Sequence, residues 1–182
     1  LSPSQSFEPV HTRRATAADA PWVAAIYNAG IHERVATFET EERSEAAMRA
    51  WLEDHDVRHP VLVAETLGAA GGPDPAVIAW ASIAAYRPRT CYAGVGEFSI
   101  YVDADHRRHG VGDALLRALL LEAERLGYWK LVSRIFPQNA ASRQLVARCG
   151  FREVGVYEKH GKLDGTWLDT VIVERLIPPN LT

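Results

Sequence analysis

The chain has 182 residues, with 20 lysines and arginines against 23 aspartates and glutamates and a net charge of −3. That length suits one domain with a proper core, and the near balance of charge excludes the basic field that non-specific nucleic-acid or anionic-membrane binding requires. Two cysteines, Cys91 and Cys149, make no disulfide framework, and with no signal peptide or apolar run of about 18 residues the expected location is a reducing cytoplasm.

Leu1 to Glu8 is polar and is expected to form a disordered tail ahead of a single domain over residues 9–178. Val10 to Ala15 reads as a first strand. Thr16 then offers an N-cap with Asp19 three positions on, a capping-box pattern. Trp22, Val23, Ile26 and Tyr27 follow at helical spacing, and Asn28-Ala29-Gly30 is expected to stop that helix. Arg34 to Glu42 is irregular. Ser44 to His55 has the spacing of a second helix, with Ala47, Met48, Trp51 and Leu52 on one face. Val61 to Glu65 and Val77 to Ala85 are apolar strands, joined by an expected hairpin loop from Gly68 to Pro73. A strand ending at Val102, a helix from Val111 to Leu126 closed by Gly127, a strand from Leu131 to Ile135 and a helix from Ala140 to Arg148 come next. Two strands over about 151–158 and 167–176 finish the chain. The order β-α-α-β-β-β-α-β-α-β-β predicts one mixed α/β sheet.

The strand Phe98-Ser99-Ile100-Tyr101-Val102 leads through a charged turn into Arg107-Arg108-His109-Gly110-Val111-Gly112 and the leucine-rich helix behind it. Backbone N–H groups at a helix N-terminus lack intrahelical partners and sit at the positive end of the helix dipole, so this segment reads as an anion cradle. Glycine at 110 and 112 leaves room for a phosphate against the backbone, and Arg107 and Arg108 add charge suited to a pyrophosphate. No G-x-x-x-x-G-K-[ST] occurs, and no G-x-G-x-x-G follows an early strand, so nucleotide hydrolysis and dinucleotide redox chemistry are not expected.

With these motifs the sequence resembles the GCN5-related N-acetyltransferase superfamily, from about Thr12 to Leu176. More closely, it is similar to the branch that acetylates phosphinothricin, methionine sulfoximine and arsinothricin. In the superfamily R-x-x-G-x-G, matched by Arg107 to Gly112, holds the coenzyme A pyrophosphate. A second element, N-x-x-S before a helix ending in G-F, matches Asn139, Ser142, Gly150 and Phe151. The branch resemblance rests on Thr37-Phe38-Glu39 as pocket lining, on Arg87, Arg89 and Tyr92 just before the central strand, and on Gly165, Trp167 and Asp169. The resemblance implies a sheet of about seven strands flanked by about four helices, with strands 4 and 5 splayed to hold acetyl-CoA. It implies acetyl-CoA contacts at Ile100, Tyr101, Val102, Arg107, Arg108, His109, Gly110, Val111, Gly112, Asp113, Asn139 and Ser142. Substrate contacts fall on Thr37, Phe38, Arg87, Arg89, Tyr92 and Trp167. A homodimer is implied, with the Lys159 to Asp169 region near the neighbouring subunit's pocket.

Acetyl transfer to an amine requires the neutral nucleophile, and therefore a base. Glu97 matches the glutamate that the branch uses directly or through a water; the alternative is a strand-edge charge paired with Arg87 or Arg89. A backbone N–H near Ile100 to Val102 would face the thioester oxygen if a bulge splays this strand from Leu131 to Ile135. Many relatives carry Tyr or His where this chain has Val146, so Tyr101, Tyr157 or a water takes the acid role, or the thiolate leaves unprotonated. Arg87 and Arg89, at i and i+2, share a face if the segment is extended and suit a substrate with two anionic ends. Trp22, Trp51 and Trp80 are expected in the core, and Trp167 in the core or the pocket wall. The seven histidines are isolated and no metal is expected. Cys91 has no histidine beside it and is not read as a nucleophile.

The sequence thus points to acetyl-CoA-dependent N-acetylation of a small glutamate-like amino acid. The alternatives are an enzyme of the same fold acting on a peptide or protein N-terminus, and a non-catalytic acetyl-CoA-binding module.

Overall fold

The computed structural model describes residues 10–66 and 75–181, so the tail expected before Pro9 and the loop expected from Gly68 to Pro73 lie outside the described residues. Seven strands form one sheet: β1 (Val10–Arg14), β2 (Val61–Thr66), β3 (Val77–Ala85), β4 (Val95–Val102), β5 (Lys130–Ile135), β6 (Arg152–Leu163) and β7 (Thr166–Leu176). Their order is β1-β2-β3-β4-β5-β7-β6. Neighbours are antiparallel except β4 and β5, which run parallel. Four α-helices accompany them among the described residues: α1 (Ala20–Glu33), α2 (Glu45–Asp54), α3 (Val111–Arg125) and α4 (Ala140–Arg148).

Alternation along the strands divides the core between the two sheet faces. Leu62 and Ala64 of β2, with Ala79, Ala81 and Ile83 of β3, pack with Leu115, Leu116, Leu119 and Leu120 of α3. Val61, Val63, Val77 and Trp80 point the other way, against Val23 and Ile26 of α1 and Met48 and Leu52 of α2. Each fully buried leucine of α3 contributes roughly 2 kcal/mol through the water its side chain leaves.

Several boundaries differ from the sequence reading, each for a local reason. Thr16 and Asp19 make the capping box, but around a 3-10 turn at Ala17–Asp19 that precedes α1. Gly30 does not stop α1, which continues to Glu33 and ends on Arg34 in the left-handed region at φ 58°. A Cβ on Gly30 would stand 3.1 Å from the Tyr101 ring, so this glycine lets α1 approach β4. Trp22 is 48% exposed rather than core. β6 runs on to Leu163, because Asp164 and Gly165 both take positive φ (48° and 80°) and close a two-residue hairpin into β7.

Candidate active site

The turn between β4 and α3 is built by local capping. Asp103 accepts from the Asp105 amide at 3.2 Å and pairs with His106 Nδ1 at 2.8 Å, shaping a 3-10 turn at Ala104–His106. Arg108 (φ 64°) and Gly110 (φ 81°) then turn the chain into α3. No side chain caps that helix, so its first amides, on Val111, Gly112 and Asp113, are left to an outside acceptor. A groove of about 250 Å³ runs along this end, lined by Ile100, Tyr101, Val102, Arg107, Arg108, Gly110, Gly112, Asp113, Asn139 and Ser142. Val111 is buried beneath it, whereas His109 is exposed and outside the lining. Arg107 is held at the rim by Glu33 at 2.8 Å and by Val102 O at 3.1 Å. A Cβ on Gly112 would meet Leu145 of α4 at 3.1 Å, so helix packing also demands a small residue there. Asn139 caps α4 through the Ser142 amide (3.0 Å) and donates to Val35 O (3.1 Å), tying α4 to the segment after α1.

β4 and β5 pair only from Val95–Lys130 to Glu97–Val132 and then separate. The β3–β4 register stays unbroken from Ala85–Gly96 to Ala79–Val102, so the parting occurs without the expected bulge in that register. Asp103 donates its amide to Ile78 O across β3 (2.9 Å). By the two-residue alternation of an antiparallel ladder, the amides of Val102 and Ile100 therefore face the gap. Ser133 Oγ donates to Phe98 O (2.9 Å) where the strands begin to part, and Val146, 3% exposed, gives the notch an apolar floor.

On the other face lies a cleft of about 570 Å³, walled by the 36–41 segment, Glu97, Ser99, Tyr101, Arg134, His160 and Thr170. Glu97 accepts from Arg134 Nε at 2.9 Å, so its partner is this β5 arginine and neither Arg87 nor Arg89. Arg134 Nη1 also lies 3.4 Å from His160 Nε2. Thr37 Oγ1 accepts from the Glu39 amide (3.1 Å) and sits 3.5 Å from Tyr27 OH. Phe38 packs edge-on against Phe136, with ring centroids 4.7 Å apart, and a Cβ on Gly161 would come within 2.8 Å of it. Tyr101 stacks on Trp80 (4.8 Å) and meets Tyr27 edge-on (5.0 Å). Burial, reinforced by Tyr27, pushes its phenol well above the ordinary value, so it remains a neutral donor.

Arg87, Arg89 and Tyr92 sit outside these linings. The Arg89 amide donates to Arg87 O (2.9 Å), closing a γ-turn about Pro88, so the segment is not extended and the expected shared face does not form. Arg87 lies 5.3 Å from the Tyr86 ring centre and Arg89 6.0 Å from that of Tyr92, both within cation–π range. Trp167 is 53% exposed beneath Lys162. Cys91 is exposed and Cys149 buried. Sequence reasoning missed Arg134, Glu33, Tyr27 and His160, whose only signal is a charge or ring on an inward-facing strand or helix position. Among the described residues no group of three or more His, Cys, Asp or Glu is placed to hold a metal ion, and no helix is long and apolar enough to cross a membrane.

Comparison with known proteins gives a family match together with relatives among curated proteins and solved structures. The profile of the acetyltransferase (GNAT) family matches residues 23–151. An L-methionine sulfoximine/L-methionine sulfone acetyltransferase of Pseudomonas aeruginosa is 34% identical over 168 residues, 92% of this chain and 94% of its own. A phosphinothricin N-acetyltransferase of Alcaligenes faecalis is 33% identical over 159 residues, 86% of this chain and 77% of its own. The crystal structure of a GNAT superfamily phosphinothricin acetyltransferase from Sinorhizobium meliloti, in complex with AcCoA, superposes with a TM-score of 0.82 at 32% identity, over 92% of this chain and 88% of that one.

Proposed function

The chain belongs to the acetyltransferase (GNAT) family and is an N-acetyltransferase, and we propose that it moves the acetyl group of acetyl-CoA to the α-amino group of a small glutamate-like amino acid, such as phosphinothricin, methionine sulfoximine or arsinothricin. One observation carries this reading: the anion groove at α3 and the cleft holding Glu97 meet at Tyr101, which lines both. Relatives over most of the chain act on such amino acids by name, and a solved relative holds AcCoA.

The groove suits the donor. Arg107, Arg108 and the free amides opening α3 fit its diphosphate, and the unpaired edge of β4 from Ile100 to Val102 fits an extended amide-bearing arm. Acetyl-CoA supplies an activated acyl thioester. An amide of Ile100 or Val102, aimed into the gap, stabilises charge developing on an oxygen there, a contribution of about 3 kcal/mol. Glu97 takes the amine proton, directly or through one water. A substrate carboxylate that engages the planar fork of Arg134 frees Glu97 for that task. Tyr101 stands as a protonated donor for the departing thiolate, while Val146 contributes only an apolar surface.

Acetylation cancels the ammonium charge that an enzyme recognising glutamate would need, so detoxification or resistance follows. The protein acts as a homodimer in a reducing cytoplasm, where two free cysteines suit the surroundings. The test is release of coenzyme A thiol from acetyl-CoA with phosphinothricin, methionine sulfoximine, arsinothricin and a short peptide. Release with the amino acids is expected; release with the peptide alone, or with none, overturns the reading.

A further inference from the structure

One pair of charges in the cleft controls the candidate base. Glu97 stands opposite Val132 in the parallel register, and this is the last pair before β4 and β5 part. Arg134, two residues further along β5, shares the face of Val132 by strand alternation, and its guanidinium reaches back across the opening to Glu97. Nε, at 2.9 Å, and Nη2 both donate to a single oxygen, Oε1, which fills the two lone pairs of that oxygen. The two partners differ in exposure: 49% of the Arg134 side chain is exposed, against 27% of that of Glu97.

The rest of the lining isolates this guanidinium. Among the described residues Arg134 is the only arginine or lysine in the cleft wall, whereas three glutamates, Glu39, Glu41 and Glu97, share it. Arg134 Nη1 has only a 3.4 Å contact, with His160 Nε2. An ion pair this exposed is weak, and a carboxylate that takes two guanidinium nitrogens side by side makes a stronger, bidentate bond. Contact with a guanidinium also favours the charged form of a carboxylate and so opposes its accepting a proton. Paired in this way, Glu97 is a restrained base.

We propose that Arg134 makes catalysis depend on the substrate's own carboxylate: an α-carboxylate seated on the fork draws Arg134 off Glu97 and releases the base beside the α-amino group, whereas an amine without a carboxylate meets a base still held. The proposal rests on the activity inferred above and adds a switch within that same site. A zwitterion lies antiparallel to the Arg134–Glu97 pair, carboxylate on guanidinium and ammonium on carboxylate, so a single binding event orients the amine and frees its proton acceptor. One ammonium proton passes to Glu97, and the neutral amine is then the nucleophile of the transfer described above. Removing Arg134 has two opposite consequences. Amino acids lose their anchor, and amines lose the restraint, in a wall left with carboxylates alone.

The experiment measures thiol release with methionine sulfone and phosphinothricin, each beside the amine left when its carboxyl group is replaced by hydrogen, in the presence of sodium formate or of sodium chloride at equal ionic strength. In the wild type, kcat for each amine should be about 50-fold below that for its amino acid. Formate, a detached carboxylate for the fork, should raise turnover of the amine about fivefold and leave kcat for the amino acid unchanged, while chloride does neither. Arg134→Ala should raise KM for the amino acid about tenfold, raise kcat for the amine about fivefold and abolish the formate effect. A merely structural Arg134 would lower turnover of both compounds together. Amines turned over as fast as amino acids, formate acting no differently from chloride, or an Arg134→Ala amine rate no higher than wild type overturns the switch. The wild-type arms decide by themselves should Arg134→Ala fail to fold. If no amino acid releases thiol, the activity itself falls and the switch with it; thiol release from amino acids with no effect of formate on the amine removes the switch alone.

Discussion

Glu97 is a carboxylate caught between two tasks: 27% of its side chain is exposed, and the fork of Arg134 occupies it across 37 residues of sequence. If it is the base, Glu97→Gln should lower kcat about 100-fold, while the dissociation constant for coenzyme A, measured by calorimetry, stays within about twofold because the groove at α3 is lined by other residues. Equal kcat for Glu97→Gln and wild type from pH 6 to 9 would remove the base assignment. Glu97, Tyr101 and Arg107 were legible in the sequence because they sit in a strand and turn with a recognisable order. Arg134 and Glu33 were not, since an ion pair between distant strands or helices leaves no local pattern. Only the shared face expected of Arg87 and Arg89 fails, because Pro88 bends the chain through an i to i+2 hydrogen bond, which a rule for extended segments does not foresee.

At the scale of elements, one part-buried ion pair, Arg13 with the buried Asp19, pins β1, β2 and the turn before α1 together. Arg13 donates to both oxygens of Asp19 (2.8 and 2.9 Å) and to Glu65 (2.8 Å), while Asp19 accepts from the Thr16 amide (2.7 Å). Burial by itself would raise the Asp19 pKa, but the bonds from Arg13 and Thr16 outweigh it and hold the carboxyl below its ordinary value. Its contribution to stability is therefore complete above the unfolded pKa of about 4 and disappears as pH falls through the lower folded value. Asp19→Asn should cost about 3 kcal/mol at pH 7 by leaving Arg13 without its main partner. The gap from wild type in urea melts should narrow on going from pH 7 to pH 2; a gap of constant size would show that the charge contributes nothing. Amphipathic elements were readable: α2 and α3 follow their apolar spacing, whereas β6, exposed over nearly its whole length, carries no such pattern and ends later than its residues suggest. Gly30 was misread as a stop because its reason lies across the fold in the Tyr101 ring. The Asp164-Gly165 turn, by contrast, was available as a two-residue hairpin signal.

The sheet has two border strands, β1 and β6, and the longer, β6, is the more exposed. β6 is the last strand of the sheet, pairs with β7 alone among the described residues, and is exposed over nearly its whole length. Val154, Val156 and Tyr157 on it and Trp167 on β7 are each about half exposed. An apolar strand edge of this kind invites pairing, and a second copy meeting it about a two-fold axis covers the same patch on both sides. The hairpin that carries the patch also walls the cleft, through Gly161 against Phe38 and through Asp164 paired with Arg34 at 2.9 Å. If two copies meet at this edge, assembly and substrate binding are coupled through the hairpin. Light scattering at micromolar concentration should give twice the 20.1 kDa chain mass, and Val156→Lys, which places a charge in the apolar patch, should return one chain mass. Because a hairpin free of its partner holds Phe38 less firmly, the same variant should raise KM for the amino acid several-fold and leave coenzyme A binding unchanged. A wild type that stays at one chain mass over this range, or a Val156→Lys monomer with an unaltered KM, would uncouple the sheet edge from the site.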